Sequence, residues 1–549
     1  MSNVLLFADC AGLDFVERNN LSFRYFIKNS AILRLSNFLR RQGHTVFQTH
    51  HFTSFSLDEL IKLLDIHLSN NTKVVGISSS FLSAVKIRQT NPFGHYLGTD
   101  MIPQYNQTEI DRIVGVFKYV KEKFPHIKTV MGGSAVFISR FKSQLDVSRW
   151  GYDLVKPYVD FFVQGAGEIV LSKIVNNEEL HFKNIYGFNV IDGNNFNIKD
   201  FSEVSNSPIE YIDGISKCEA LSTELAHGCI FNCEFCTGRV LGKNKKEFMR
   251  TFDSFRNEIL YNYETFGTKF YLFLDDIIND NTDKLDWLIR LRKETGIDLT
   301  WVAYARLDMI KTEEQAQRFL DAGCLGVYFG IESLKSDVGP YIGKITDKEK
   351  IISNLKLCRK IWGDNILIKA SLIAGLPTET KEEFIENANY LLNTDEGRYL
   401  IDRISITPLH VYVMDKGEIT IGRNYPFAQY KINKEVKKHY LDAQNWTSPW
   451  GTREEFFYLI RDVYSKVPQQ VNLAHPFLFP MYETLGIDLR AFIKSIRDRT
   501  FTNALTSQQL ISMINKKILE YKKMIFEITE EDVEKYHKKF WKKTSIITY

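Results

Sequence analysis

EALSTELAHGCIFNCEFC (219–236) joins an apolar, β-prone run to three cysteines within eight positions. A strand that opens into a cysteine-bearing loop sets the reading of everything around it. Downstream, KFYLFLD (269–275), DLTWVAYA (298–305), LGVYFGI (325–331), ILIKASLIAG (366–375) and RISITPL (403–409) recur with helical patterns between them. Six βα repeats predict a partial βα barrel, whose chemistry belongs at the carboxyl ends of the strands. Cys229, Cys233 and Cys236 then lie at its mouth. Upstream, NVLLFA (3–8), HTVFQT (44–49), KVVGISS (73–79), HIKTVMGG (126–133) and DFFVQG (160–165) alternate with amphipathic helices. That pattern predicts an α/β, doubly wound parallel sheet, with ligands beyond the carboxyl ends of its strands. Asp9, Ser78 to Ser80, Gly132 and Gly133 are expected at that crevice, with 83–107 as a long loop beside it. The expected division is 1–187 for this sheet, 188–217 as a connector rich in turn formers, 218–418 for the barrel and 419–549 as a mainly helical region.

The 549 residues exceed what one hydrophobic core usually serves, so several cores are expected. Hydrophobic residues at 44% and charged residues at 25% are the balance of a globular chain, not a disordered one. Lysine plus arginine (70) nearly equals aspartate plus glutamate (67), so no global field attracts nucleic acid or anionic lipid. A nucleic-acid partner is not expected, though a local basic patch stays open. No stretch reaches the roughly twenty apolar residues of a membrane span, and MSNVLLFADCAGLD lacks the head and cleavage site of a signal peptide. The expected setting is the cytoplasm, with no membrane partner. Seven cysteines, odd in number and clustered, argue against a disulfide framework.

Three thiolates on one short loop point to a metal. A structural zinc site normally takes four ligands, and no fourth cysteine stands at finger spacing, although His227 is near. An iron–sulfur cluster held by three cysteines would keep one iron open to a small molecule. Both remain possible on these residues alone. HGCIFNCEFC (227–236) resembles the radical S-adenosylmethionine superfamily in its cysteine spacing and in the aromatic residue before the last cysteine. The resemblance implies a [4Fe-4S] cluster on Cys229, Cys233 and Cys236, with S-adenosylmethionine bound at the open iron. It further implies reductive cleavage to a 5′-deoxyadenosyl radical, and a reductase such as flavodoxin or ferredoxin as electron donor.

Other segments carry the same resemblance across roughly 217–410. Tyr328-Phe329-Gly330-Ile331-Glu332-Ser333 is similar to the Gly-x-Glu-Ser segment that holds the cofactor in that superfamily, which marks Glu332 and Ser333. Tyr341-Ile342-Gly343-Lys344 follows at the typical distance. Gly375-Leu376-Pro377 is similar to its Gly-Leu-Pro turn. Asp275 and Asp276 end the second barrel strand, as acidic cofactor residues or as simple caps. Arg306 ends the third, where a guanidinium suits a cofactor carboxylate. Cys324 starts an apolar strand and Cys358 falls in a helical pattern, and both read as small buried hydrophobes.

A doubly wound domain ahead of such a barrel resembles the cobalamin-binding subgroup. Ser80, Gly132, Gly133 and the run Gly165-Ala166-Gly167-Glu168 are the small residues that would admit a corrin or its nucleotide tail. The subgroup's frequent histidine after the first strand is missing, since this chain reads Asp9-Cys10-Ala11-Gly12-Leu13. With cobalamin, the implied reaction is C-methylation of a small-molecule or peptide substrate. Without it, radical rearrangement, oxidation, sulfur insertion or RNA modification would use the same cluster. A non-enzymatic structural metal module is the remaining alternative.

Overall fold

In the computed structural model the described residues are 3–9, 15–16, 22–23, 27–79, 84–85, 104–105, 107–133, 136, 147–148, 151–193, 209–236, 248–280, 282–409, 430–432, 446–465, 475–498 and 507–547. The front sheet comprises β1 (Val4–Phe7), β2 (Val46–Thr49), β3 (Val74–Ser78), β4 (Lys128–Gly132), β5 (Phe161–Gln164), β6 (Lys183–Ile185) and β7 (Phe188–Asp192). Their order is β6-β7-β5-β4-β3-β1-β2, parallel throughout except for the β6–β7 hairpin. Alternate residues of each strand serve opposite layers. Val4 and Leu6 pack towards α1 (Ser30–Arg41), whereas Leu5 and Phe7 pack towards α2 (Leu57–His67) and α3 (Gln107–Lys123). Burial on both faces is why these strands read as unbroken apolar runs. Asn29 caps α1 through the Ile32 N–H, and Ser56 with Glu59 forms a capping box on α2.

The doubly wound expectation holds, and the strand order reverses direction between β1 and β3, so the ligand crevice belongs beyond those two carboxyl ends. The hairpin was not expected. The boundary read at 187/188 falls inside it, because β7 pairs with β5 and belongs to the sheet.

The second sheet contains β8 (Leu221–Thr223), β9 (Phe270–Phe273), β10 (Thr300–Ala305), β11 (Cys324–Glu332), β12 (Leu367–Ala374) and β13 (Arg403–Pro408). All neighbours are parallel and in chain order, which makes an open, six-stranded βα barrel. Tyr271, Phe273, Trp301, Ala303, Val327 and Phe329 face the helical layer. Phe270, Leu272, Val302, Leu325 and Leu367 turn to the concave side, where Phe477, Leu478, Phe479 and Met481 from the chain's last third fill the bottom.

That last third has no core of its own among the described residues. Helix Arg453–Ser465 joins the barrel's helical layer, while Ser507–Glu527, Glu530–Ile547 and the turn between them contribute Tyr521, Ile525, Ile528, Val533 and Tyr536 to the front sheet's core. Arg40 of α1 meets Asp213 of the connector at 2.8 Å, buried, with the Tyr536 ring 4.9 Å beyond. No described helix is long and apolar enough to cross a membrane.

One contact orients the two sheets. Arg34 of α1 donates to Glu168, which opens the helix after β5, at 2.9 Å, and to Glu224, which follows β8. Burial alone would favour an uncharged guanidinium, but the two carboxylates outweigh it and hold Arg34 charged. The carboxyl edges of both sheets are thereby drawn together.

Candidate active site at the barrel mouth

The cysteine loop leaves β8 under control of a carboxylate. Asp275, just beyond β9, is buried and accepts the backbone N–H groups of Leu225 and Ala226 at 2.9 and 3.0 Å. Burial pushes its pKa up to about 6, against the pull of Lys284 at 3.3 Å. Both oxygens are thus committed to the chain that enters the loop. The expected cap of the following segment is not what these contacts show: Asp275 turns back to the chain leaving β8. Ala226 and His227 then pair with Met249 and Phe248, and the loop proper follows.

The loop is braced by the segment 341–344. Cys236 N–H donates to the Cys233 carbonyl at 3.2 Å, and Glu234 N–H donates to the Ile342 carbonyl at 3.2 Å. Gly343, at φ +71°, lies so close that a Cβ there would be 3.4 Å from the Asn232 carbonyl oxygen. The Tyr341-Ile342-Gly343-Lys344 run therefore has a mechanical role, as the backstop of the cysteine loop.

Two cations converge on this loop. The Arg306 guanidinium is held by both oxygens of Asp308, lies 3.9 Å above the Phe231 ring and places Nη1 3.5 Å from the Cys233 sulfur. Lys344 Nζ sits 2.9 Å from Glu332 and 2.7 Å from the Gly330 carbonyl, with the Phe235 ring at 5.8 Å. Burial raises the Cys229 and Cys233 thiols; at Cys233 the charges of Lys344 and Arg306 pull the other way. The thiols also feel one another, Cys229 with Cys233 and Cys233 with Cys236. None of the cysteines among the described residues forms a disulfide.

No three His, Cys, Asp or Glu side chains among the described residues converge on one ion-sized point. The donor set nonetheless suits a polynuclear cluster, whose metals lie apart from one another. It offers three thiols on a single loop and cations that offset the charge of thiolates, and it lies beside a mouth lined by Asp276 and Tyr304.

Glu332 follows a register shift in β11 and sits at φ +69°, a backbone conformation that a non-glycine residue adopts only when its surroundings hold it there. Its carboxylate is turned to Lys344 and accepts from Ser371 at 3.1 Å. Ser333 faces the other way: it is buried, donates to Glu379 at 2.7 Å and accepts from the Lys335 N–H. Glu332 and Ser333, expected together, thus serve opposite faces of the strand end.

Burial drives Glu379 up to about 7, with Ser333 pulling against it. Its ordinary value is 4.5, so the folded chain binds this proton more tightly than the unfolded one, and the ionised side chain destabilises the fold at alkaline pH. Glu379→Gln is expected to gain up to roughly 3 kcal/mol at pH 8.5. The gain should shrink as pH falls through 7 and vanish below about 4.5, read from denaturation midpoints across that range.

Gly375 lies at φ +85°, and a Cβ on it would meet Trp446 at 2.4 Å. Its carbonyl accepts from Tyr430 at 2.7 Å. The residue is buried under the chain's last third, so its geometry is that of packing. Gly375→Ala is expected to cost about 2–4 kcal/mol in chemical denaturation, through backbone strain and overpacking together.

In the front sheet, Ser80 lies outside the described residues, as does most of 83–107. Gly132 and Gly133 are half-buried at the end of β4; a Cβ on Gly132 would have nothing closer than 3.5 Å. Ser79 donates to the Gly132 carbonyl at 2.6 Å, and Asp9 accepts the Thr53 N–H at 2.8 Å. Both side chains thus support the crevice wall.

The concave face carries a layer that sequence reading passed over. Tyr304, Tyr328, Lys369 and Arg403 are successive partners across β10, β11, β12 and β13, and share one face. His475 reaches Lys369 from below, and Phe477 stacks on Tyr328 at 5.9 Å. The available signal was a lysine inside the apolar run ILIKASLIAG.

Comparison with known proteins places these features. The family model described as the Radical SAM superfamily matches residues 223–391. An uncharacterized methyltransferase of Pyrococcus horikoshii is 28% identical over 290 residues, which is 49% of this chain and 58% of that protein. The ribosomal protein uS12 methylthiotransferase RimO of Clostridium perfringens is 27% identical over 260 residues, 46% of this chain and 54% of that protein. The chain thus spans little more than half the length of the curated relatives it matches.

Among solved structures, the radical S-adenosylmethionine methyltransferase TsrM of Kitasatospora setae, with cobalamin and a [4Fe-4S] cluster bound, aligns over 94% of this chain and 100% of that one. Its TM-score is 0.57 and its identity 14%. The cobalamin-dependent radical enzyme OxsB, with aqua-cobalamin and S-adenosylmethionine bound, aligns over 98% of this chain and 84% of that one, also at TM-score 0.57 and 14% identity. The whole architecture, front sheet, barrel and closing helices, is therefore a shared fold. The chain carries a Radical SAM superfamily domain at residues 223–391, with Cys229, Cys233 and Cys236 in the loop after its first strand.

Proposed function

We propose that the chain is a radical S-adenosylmethionine enzyme of the cobalamin-dependent methyltransferase type, methylating carbon in a small molecule or peptide. The observation that carries this reading is the Arg34 contact with Glu168 and Glu224, which sets the carboxyl edge of the front sheet against the barrel strand that launches the cysteine loop. Cys229, Cys233 and Cys236 hold the cluster, Arg306 and Lys344 offset its charge, and Glu332 with Lys344 frames the place for S-adenosylmethionine. The crevice beyond β1 and β3, bordered by Gly132 and Gly133, fits the flat face of a corrin. When bound, these groups supply an electron for sulfonium cleavage and a methyl group for transfer.

The chain's own residues do the rest. Asp275 fixes the loop entry, Gly343 backs the loop, and the aromatic floor of Tyr304, Tyr328 and Phe477 closes the barrel beneath the lumen. Electrons would come from a flavodoxin- or ferredoxin-type reductase.

The test is anaerobic reconstitution with iron and sulfide, then incubation with S-adenosylmethionine and reductant, with and without cobalamin. Formation of 5′-deoxyadenosine and S-adenosylhomocysteine, the latter only with cobalamin, is expected. Deoxyadenosine formed with no corrin retained and no S-adenosylhomocysteine even when cobalamin is supplied would remove the methyltransferase assignment. The RimO match favours one alternative, methylthiolation, which a sulfur-bearing product would reveal.

A further inference from the structure

Lys369 is buried in the barrel floor, and the hydrogen bonds around it fix its protonation state. The Phe477 N–H donates to Nδ1 of His475 at 3.1 Å. Nδ1 therefore carries no proton, and the proton of the neutral ring is on Nε2. Nε2 is the ring atom in hydrogen-bond contact with Lys369 Nζ. Nε2–H must donate, so Nζ must accept, and only an unprotonated amine has the lone pair to do so. Burial, and next the charge of Arg403, push Lys369 well below the usual lysine range, in agreement with the geometry.

Every element packed around the amine contributes a named group. Arg403 stands opposite on β13, Tyr328 lies beneath Nζ at 4.3 Å on β11, and Tyr304 flanks Tyr328 on β10. Ser371 and Ser405 lie two residues further along β12 and β13, in register with each other. Glu332, at the end of the neighbouring strand β11, is engaged by Lys344 and Ser371. Above this layer the lumen is open: Tyr304 is 40% and Leu274 37% exposed.

We propose that Lys369 and Arg403 form a carboxylate subsite for the substrate, and that Lys369 takes up one proton from solvent as the carboxylate arrives. The lone pair that accepted from His475 Nε2–H takes the proton, so that hydrogen bond is given up and the ammonium pairs with the arriving anion; the new N–H is the one covalent bond formed at the amine. A planar guanidinium fork beside a compact amine suits a carboxylate's two oxygens. The subsite lies beneath the mouth that holds the cysteine loop, so it would anchor the acid end of an amino acid or of a peptide carboxyl group. It rests on the proposed function only in calling the bound acid a substrate.

Calorimetry on the reconstituted full chain at pH 7.5, with sodium acetate as the probe in HEPES and in Tris, reads the proton directly. Expected are saturable binding, a heat that differs between buffers by close to one proton taken up per acetate, and no such heat with acetamide. Lys369→Met should abolish the uptake and weaken acetate about tenfold or more, the loss of one charge-assisted contact. Equal heats in the two buffers, or unchanged acetate binding in the variant, would overturn the subsite. Inorganic phosphate that binds more tightly than acetate would overturn the carboxylate assignment. The two-buffer comparison uses the unaltered chain and stands even where Lys369→Met folds poorly. A preparation that cleaves S-adenosylmethionine yet takes up no proton sinks the subsite alone; one that takes up the proton without cleaving sinks the proposed function alone.

Discussion

Replacing Cys229, Cys233 or Cys236 with alanine is expected to reduce S-adenosylmethionine cleavage by on the order of 10³-fold or more, at least about 4 kcal/mol of transition-state stabilisation. In the proposed site each thiolate would be one corner of the iron coordination, and two remaining thiols on so short a loop would not keep the cluster in place. Iron and sulfide content and visible absorption should fall with activity, while far-ultraviolet circular dichroism should not. Cys218→Ser is the matched control. Its exposed thiol lies ahead of β8, outside the loop, and its loss should leave iron content unchanged. Retention of a full iron complement in any of the three loop variants would refute the ligand assignment.

Asp275→Ala is expected to be the most damaging substitution away from the thiols, at about 3–5 kcal/mol of stability. It would leave two buried N–H groups, of Leu225 and Ala226, without their acceptor, and would remove one of the carboxylates facing Lys284. Asp280 remains at 2.8 Å to hold the ammonium, so the greater part of the loss should come from the backbone donors. Asp275→Asn keeps one acceptor oxygen and should recover part of the stability. Because the same N–H groups lead into the cysteine loop, iron loading per folded chain should also fall in the alanine variant. Chemical denaturation of the unloaded chain separates the two effects. A variant that loses activity but keeps full stability and iron would show that Asp275 touches cofactor after all.

The sequence made the skeleton of this fold legible because hydrophobic periodicity reports burial, and most strands here are buried on both sides. NVLLFA and KVVGISS became β1 and β3, and the six barrel runs became β8 to β13. The β6–β7 hairpin escaped because LHFKNIYGFNVID mixes exposed and apolar residues at a sheet edge, where one face alone is covered. The cysteine loop was legible by spacing. What its neighbours do was less so: Asp275, Arg306 and Glu332 stood out as polar residues at strand ends, but only the folded geometry shows that Asp275 turns to backbone, Arg306 to Asp308 and Cys233, and Glu332 to Lys344. Gly375 needed its place in space too, since Trp446, which excludes a side chain there, is 71 positions away in sequence. Lys369 was hidden because one lysine in an apolar strand reads as an exposed interruption, whereas His475 and Arg403 meet it only after the barrel closes.

The most direct measurement is electron paramagnetic resonance of the anaerobically reconstituted, reduced chain before and after addition of S-adenosylmethionine, with 5′-deoxyadenosine assayed in the same sample. A cluster with one open iron should give a reduced-cluster signal that changes on addition, with deoxyadenosine formed. A chain that takes up one tightly bound zinc, shows no iron-dependent signal and yields no deoxyadenosine would contradict a catalytic cluster on Cys229, Cys233 and Cys236.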